Sequence, residues 1–352
     1  MESVQFDIKT IVISTRIRLA RNFSAFPFPH KMDKKQASDL LGLVETGLRG
    51  LDSFTKYEME SLSQEDAELL KEQYLISPAL ISGKRGAAFV TEDKAISIMV
   101  NEEDHLRLQY IYKDFDLRYA YERISAVDDG LNALYDFAFD DRLGYLTACP
   151  SNLGTGMRAS VMMFLPGLSW SGELKEYIPE LKKRGLTVRG AFGEGSRAEG
   201  YVFQISNERT LGLSEKDILT EVEEAIFDLC DLENRARMEM LERAEVETKD
   251  RCLRAYGVLT HCVMLSMDEF LSKMTDVKLG ILLGLFSTSG LEDVDNFIDG
   301  MRPMSFRLGN GLRYASEKEC DIARAETVRR ILPELAQVTK KYGKGNNVIS
   351  AF

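Results

Sequence analysis

Polar and apolar positions alternate along this chain with two different periods. In "IVISTRIRLA", residues 11–20, Ile11, Ile13, Thr15, Ile17 and Leu19 fall on one side of an extended chain, and Ser14, Arg16 and Arg18 on the other. That is the period-two pattern of a strand with one buried face. "KAISIMVNEE" and "RLGYLTACP" predict further strands, the second stopped by Pro150. "LTVRGAFGE" and "GYVFQISN" predict a strand pair joined by a glycine-rich loop. Between these segments, "YERISAVDDGLNALYDF" places Ile124, Val127, Leu131 and Leu134 on one stripe of a helix.

After about residue 214 the period changes to that of helices. "LSEKDILTEVEEAIFDLCDLENRARMEMLERAEVE" sets Ile218, Val222, Ile226 and Leu229 at helical spacing, and Ser214 with Asp217 predicts a capped start. "SMDEFLSKM", "LEDVDNFIDGM" and "KECDIARAETVRRILPELAQ" predict more helices, and the tail "KKYGKGNNVISAF" is expected to fray. No low-complexity linker or repeat divides the chain. The change from mixed α/β to all-helix falls between 230 and 250, which predicts one domain over 1–238 and a helical one over 239–352.

Composition narrows the function classes. The 352 residues are 44% hydrophobic and 29% charged, with a formal net charge of −11, as in a soluble globular protein rather than a nucleic-acid coat or a membrane-surface protein. "LGILLGLF" is far short of the roughly 20 apolar residues that span a bilayer. No signal peptide is apparent at the N-terminus. Five cysteines in no CxxC spacing and three histidines give no zinc-site pattern, so a reduced, cytoplasmic protein without a protein-held metal is expected.

Candidate chemistry begins with the arginines. Arg16 and Arg18 project side by side from one strand face, which like charges disfavour unless an anion lies between them; a solvated face with salt bridges is the bland alternative. "CPSNLGTGMRASVM" is not a Walker loop, but its glycines permit close backbone approach, and Arg158 adds a third guanidinium. Cys149 is either a small core residue or a thiol beside substrate. "VRGAFGEGSRAEG" supplies Arg189 and Glu194. In "NEEDHLR", continuing the strand parity of Ser97, Met99 and Asn101 puts Glu103 on their side and Glu102 on the other, so only alternate carboxylates of the triplet can face one site. His105 is expected to be a packed, hydrogen-bonded residue.

Taken in order, "STRIR", "NEEDHLR", "CPSNLGTG-R" and "RG--GE" followed by "ISN---LG-SE" resemble the phosphagen (guanidino) kinases over roughly residues 11–235. The resemblance implies an α+β fold, an antiparallel sheet flanked by helices, followed here by an all-α C-terminal domain. It also implies phosphoryl transfer between Mg²⁺-ATP and a guanidinium nitrogen. Arg16, Arg18, Arg107, Arg158 and Arg189 would then cage the phosphates. The wider nucleotide site would include Ser14, Thr15, Ile17, Tyr74, Ala159, Ser160, Val161, Met162, Gly190, Ala191, Phe192, Gly193 and Glu194. Glu103 and Glu194 would grip the acceptor guanidinium, with Cys149 beside it. Such chemistry needs positioning and charge stabilisation more than covalent help. Holding both reactants in line is worth about 7–11 kcal/mol of barrier. A guanidinium, with pKa above about 12, must lose a proton to a carboxylate as the N–P bond forms.

Two departures refine the family position. The "STR-R" strand begins at residue 14, without the helical domain that precedes it in small-molecule phosphagen kinases, while over a hundred mostly helical residues follow the catalytic part. That layout is similar to bacterial protein-arginine kinases, which implies arginine-containing protein substrates, a Clp ATPase downstream, a zinc-binding activator protein and a homodimer. The phosphoarginine pocket of that group would map to Asp321, Arg324 and Ala325, with Cys320 standing where an arginine is expected. In "EQYLISP", Tyr74 replaces a histidine near the adenine, where an aromatic ring still stacks. The alternatives are a small-guanidine kinase whose C-terminal domain covers the substrate, and a silent adaptor that binds arginine-rich segments. The complete arginine set and both carboxylates argue against the adaptor.

Overall fold

Eight antiparallel strands organise the molecule, in a computed structural model that describes residues 8–83, 85–190 and 199–339. In chain order they are β1 Val12–Arg21, β2 Phe54–Glu58, β3 Ala87–Thr91, β4 Ile96–Val100 and β5 Leu106–Tyr112, then, after a two-strand hairpin (β6 Phe139–Asp140 and β7 Gly144–Tyr145), β8 Met157–Phe164, β9 Leu186–Gly190 and β10 Val202–Asn207. The sheet order is β2-β3-β4-β5-β1-β8-β10-β9, with β1 central. The fold is the antiparallel sheet flanked by helices that the resemblance implied.

One face of this sheet is the main core. Ile17, Leu19, Ile98, Leu108, Ala159, Val161 and Ile205 are fully buried there, under α1 Lys34–Leu48, α4 Leu117–Asn132 and the first part of α7 Glu215–Arg243. Each such side chain contributes about 1.5–3 kcal/mol. A one-residue slip would turn all of them outward, so this face fixes the register. Side-chain caps set the helix starts: Asp33 with Gln36 on α1, and Ser214 with Asp217 on α7, the latter as its sequence predicts. Because α4 ends at Asn132, Leu134 leaves the predicted stripe and is 58% exposed.

The opposite face is covered only at its ends. α2 Gln64–Glu72 and α3 Pro78–Gly83 pack on Ala88, Val90 and Met99 at the β3/β4 side. At the β8/β10 side, Phe164 joins the core of the C-terminal helices α8 Glu245–His261, α9 Met267–Leu282, α10 Leu291–Gly300, α11 Pro303–Gly309 and α12 Glu317–Leu335, with Ile13, Tyr201 and Val202 against it. Between these two covers the middle of the face stays open. A short pair, β11 Phe286–Ser287 with β12 Gln337–Val338, closes the helical region. Among the described residues no helix is long and apolar enough to cross a membrane. The tail over 340–352 lies outside the described residues.

The expected boundary at 238/239 falls inside α7, a continuous 29-residue helix, and the core changes over on that helix between Ala236 and Met240. A buried ion pair pins the changeover. Glu233 accepts from the backbone N–H groups of Gly167 and Leu168 at 2.9 Å each, at the start of α5 Pro166–Ser171, and from Arg237 Nε at 2.5 Å. Arg237 also donates to the Phe164 carbonyl at 3.1 Å. Glu233→Ala should therefore lower stability in denaturant unfolding by about 3–5 kcal/mol, the cost of leaving a buried guanidinium uncompensated.

Candidate active site

Strand register gathers the arginines. Arg18 stands opposite Arg158 on β8 and Gln109 on β5; Arg16 stands opposite Ser160; Met99 stands opposite Arg107. Across β10, Ser206 pairs with Ser160 and Gln204 with both Met162 and Arg189. Alternation within each strand then sets Arg16, Arg18, Arg107, Arg158 and Arg189 on the single open face, together with Ser14, Ser160 and Met162. The side chains of Thr15, Ile17, Ala159 and Val161, included in the predicted nucleotide site, do not share this face. Ile17, Ala159 and Val161 are fully buried in the core on the other face, and Thr15 is turned there to donate to the Asp114 carbonyl at 2.8 Å.

Like charges this close are costly. Burial first, then Arg107 and Arg158, pushes the Arg16 guanidinium down to about 10, although nearby Tyr74 and Glu102 oppose the shift. Arg18 is pushed well below the ordinary guanidinium value by burial, and then by Arg16, Arg107 and Arg158. Arg16 donates to Gln109 Oε1, and Arg158 to Ser206 Oγ at 2.9 Å. Among the described residues Arg18 forms no ion pair, and the Nε atoms of Arg16 and Arg18 are buried without a hydrogen-bond partner. Glu102 offsets part of this charge, accepting from Arg107 Nη1 at 2.7 and 2.9 Å. The arrangement fits a polyanion, which would satisfy the orphaned donors and cancel the repulsion.

The loop over 101–105 does not extend β4. Strand parity stops at Val100, because Asn101 takes a left-handed backbone with φ 60° and its side chain donates to the Ala37 carbonyl at 3.0 Å. Each residue after it is then aimed separately. Glu102 turns inward to Arg107 and Ser77 Oγ, its side chain only 3% exposed. Asp104 is buried and accepts from Asn22 Nδ2 at 2.7 Å and from the Ala148 N–H at 2.6 Å. His105 is fully buried: its Nδ1 accepts from the Phe23 N–H at 2.9 Å, leaving Nε2–H to donate to the Pro27 carbonyl at 2.8 Å. Glu103 alone is exposed. Partial desolvation, then Asp104 and Glu102, push its carboxyl above the ordinary range; Arg107 and a hydrogen bond from the Cys149 thiol pull it partly back. The Ser151 hydroxyl lies 3.0 Å from Cys149 Sγ, a pair in which either atom can donate. A cavity of about 670 Å³ between α3 and this loop has Ser77, Glu102, Glu103 and Arg107 on its wall. Arg107 and the exposed Glu103 thus share one cavity.

The strand predicted over 142–149 is reduced to Gly144–Tyr145. Asp140 accepts from the N–H groups of Arg142 and Leu143 to form a turn, and Asp104 captures the Ala148 N–H. Cys149 therefore sits on an irregular segment leading into the turn at 150–152. Gly190 ends β9, while Ala191, Phe192, Gly193 and Glu194 lie outside the described residues. Asp321, Arg324 and Ala325 lie on α12. The Arg324 guanidinium donates to Asp321 at 2.7 Å and to the Leu265 carbonyl at 2.8 Å, and its buried Nε has no hydrogen-bond partner. Cys320 is buried beside them. Sequence reading missed Gln109, Ser77 and the pairing role of Glu102. Strand parity from Arg107 could have found Gln109; nothing local signals the other two.

Comparison with known proteins agrees with this geometry. The family model for ATP:guanido phosphotransferase, C-terminal catalytic domain, matches residues 39–236, and the model for the protein-arginine kinase McsB C-terminal domain matches 245–343. A protein-arginine kinase of Caldanaerobacter subterraneus subsp. tengcongensis is 40% identical over 92% of this chain and 97% of its own length. One from Clostridium acetobutylicum is 39% identical over 92% and 96%. Among solved structures, lombricine kinase superposes with a TM-score of 0.58 at 27% identity, covering 69% of this chain and 70% of that one. The duplicated taurocyamine kinase from Schistosoma mansoni with bound transition-state-analogue components gives 0.60 at 28%, covering 76% and 40%.

Removing one buried guanidinium should stabilise the ligand-free protein while abolishing its response to polyanions. Arg18→Met is expected to unfold at or above the wild-type denaturant midpoint. Inorganic tripolyphosphate at a hundredfold excess over its Kd should add about 2.7 kcal/mol to wild type and little to the variant.

Proposed function

The chain belongs to the ATP:guanido phosphotransferase family, and we propose that it transfers the γ-phosphoryl group of ATP to arginine side chains of proteins. The observation that carries this reading is the open sheet face on which five guanidinium groups converge beside one exposed, thiol-bonded carboxylate. Relatives named protein-arginine kinase, alike over nearly the whole of both chains, support a polypeptide acceptor, as does the match of the helical region to the C-terminal model.

In this reading the five arginines hold the triphosphate and spread its charge as the Pγ–O bond to ADP breaks. Glu103 orients the acceptor guanidinium and takes the proton that its nitrogen loses as the N–P bond forms. Glu194 is the proposed second carboxylate, and Cys149 holds Glu103 in place. Mg²⁺, when bound, would neutralise phosphate charge. Among the described residues no group of three or more His, Cys, Asp or Glu side chains could hold an ion, so the phosphate oxygens would carry most of its ligands. On resemblance alone we also propose the 1–238 and 239–352 domains, a cytoplasmic location, a homodimer, a zinc-binding activator, a Clp ATPase partner and a phosphoarginine pocket at Asp321, Arg324 and Ala325.

Incubation with ATP and an arginine-rich protein should yield acid-labile phosphate on arginine. Label confined to free arginine or other small guanidino compounds would instead establish a small-guanidine kinase. Glu103→Gln should keep ATP binding and lower transfer by about 10²–10⁴-fold, the usual worth of a general base; full activity would remove Glu103 from the mechanism. The pH profile tests the same residue. Transfer needs ionised Glu103, so kcat/KM should fall as pH drops through its raised pKa. Cys149→Ala removes a donor that lowers that pKa and should move the acid limb to higher pH, whereas Cys149→Ser should leave it near wild type.

A further inference from the structure

The helical region reaches the nucleotide side of the site. At the end of α2, the Glu72 carboxylate accepts from the N–H groups of Met304 and Ser305 at 2.8 Å each and from Ser305 Oγ at 2.7 Å, so that it caps α11 from another part of the chain. Two residues after Glu72, Tyr74 holds a left-handed backbone with φ 60°, a conformation costing a bulky residue about 1–3 kcal/mol unless its surroundings enforce it. The enforcement is visible. Gln109 Nε2 donates to the Tyr74 carbonyl at 2.7 Å while Gln109 Oε1 accepts from Arg16. On the other side, the Arg302 guanidinium lies over the Tyr74 ring at 5.7 Å from its centroid and is held by Asp299 at 3.0 Å. Arg302 stands just before α11, its side chain 17% exposed, whereas Tyr74 is 37% exposed.

The ring thus stands between a phosphate-site arginine and an arginine of the helical region. We propose that Arg302 is a positioning residue for nucleotide recognition: it fixes the Tyr74 ring as a stacking wall for the base. A guanidinium over one aromatic ring restrains it at little entropic cost, and a half-exposed aromatic surface next to a phosphate cage suits a purine rather than a bare polyphosphate. This inference deepens the nucleotide-site reading above and rests on it. The helical region then sets affinity for the base, while the sheet arginines set affinity for the phosphates.

The two ligands separate these contributions. Titration calorimetry with ATP and with inorganic tripolyphosphate would compare wild type, Arg302→Ala, Arg302→Lys and Arg313→Ala. Arg313 is a control on the same interface, 3.8–4.0 Å from Asp66 and Glu65 and 41% exposed. Arg302→Ala should weaken ATP binding about tenfold, the scale of a partly desolvated cation–π contact. Its tripolyphosphate affinity should be unchanged, and KM for ATP should rise with kcat nearly constant. Arg302→Lys should recover part of the loss, and Arg313→Ala should match wild type. Wild-type ATP affinity in Arg302→Ala, or equal loss of both ligands, would overturn the assignment. Failure of wild type to bind either ligand would overturn the site reading beneath it.

Discussion

Five guanidinium groups on one sheet face, with Glu102 buried against one of them, form the constraint around which the structure is arranged. Arg16 and Arg18 are desolvated next to others of the same sign, which burial energetics oppose unless an anion is present. The apolar face behind them makes this tolerable. Ile17, Leu19, Ala159 and Val161 alternate with the arginines along the same strands, so the burial that fixes the register also fixes where the cations point. A protein with formal net charge −11 therefore carries a locally cationic opening, and it is the local field that selects the ligand.

The acid loop solves a second problem, placing three consecutive carboxylates at different tasks. A continued strand would have sent Glu102 and Glu103 to opposite faces of the sheet. The left-handed Asn101 ends that alternation and lets buried bonds from Asp104 and His105 hold the loop from below. Glu102 is spent on Arg107, and Glu103 stays exposed beside Cys149. Partial burial and then the neighbouring acids raise the affinity of Glu103 for a proton.

Strand and helix periods were legible in the sequence where one face is buried, except at Ile13, which a bulge between Val12 and Ser14 turns from the predicted face to the core of the C-terminal helices. Arg16 and Arg18 could be assigned to a common face from parity alone, and α7 from its spacing and cap. Elements without a buried face were misread. The segment over 142–149 has strand composition, yet Asp140 and Asp104 take its N–H groups and leave two residues in a strand. Thr15, Ile17, Ala159 and Val161 came into the predicted site because a motif is contiguous in sequence, whereas a strand shows a ligand only alternate residues. Opposing pairs such as Arg18 with Arg158, and the approach of Arg302 to Tyr74, depend on register and docking, which no local period encodes.

Two of the places where the helical region meets the sheet domain stand out by position. Through Glu72 and Arg302 it touches the segment bearing Tyr74. Through α9 it packs on the turn over 199–201, where a Cβ on Gly200 would come within 2.5 Å of Thr275 Oγ1. That turn closely follows the stretch of sequence containing Glu194 and leads into β10, which carries Ser206, the partner of Arg158. One contact therefore borders the segment bearing Tyr74, and the other leads to the strand whose Ser206 accepts from Arg158. The helical region is thereby bound to the sheet at both of its covered ends as well as following it in the chain.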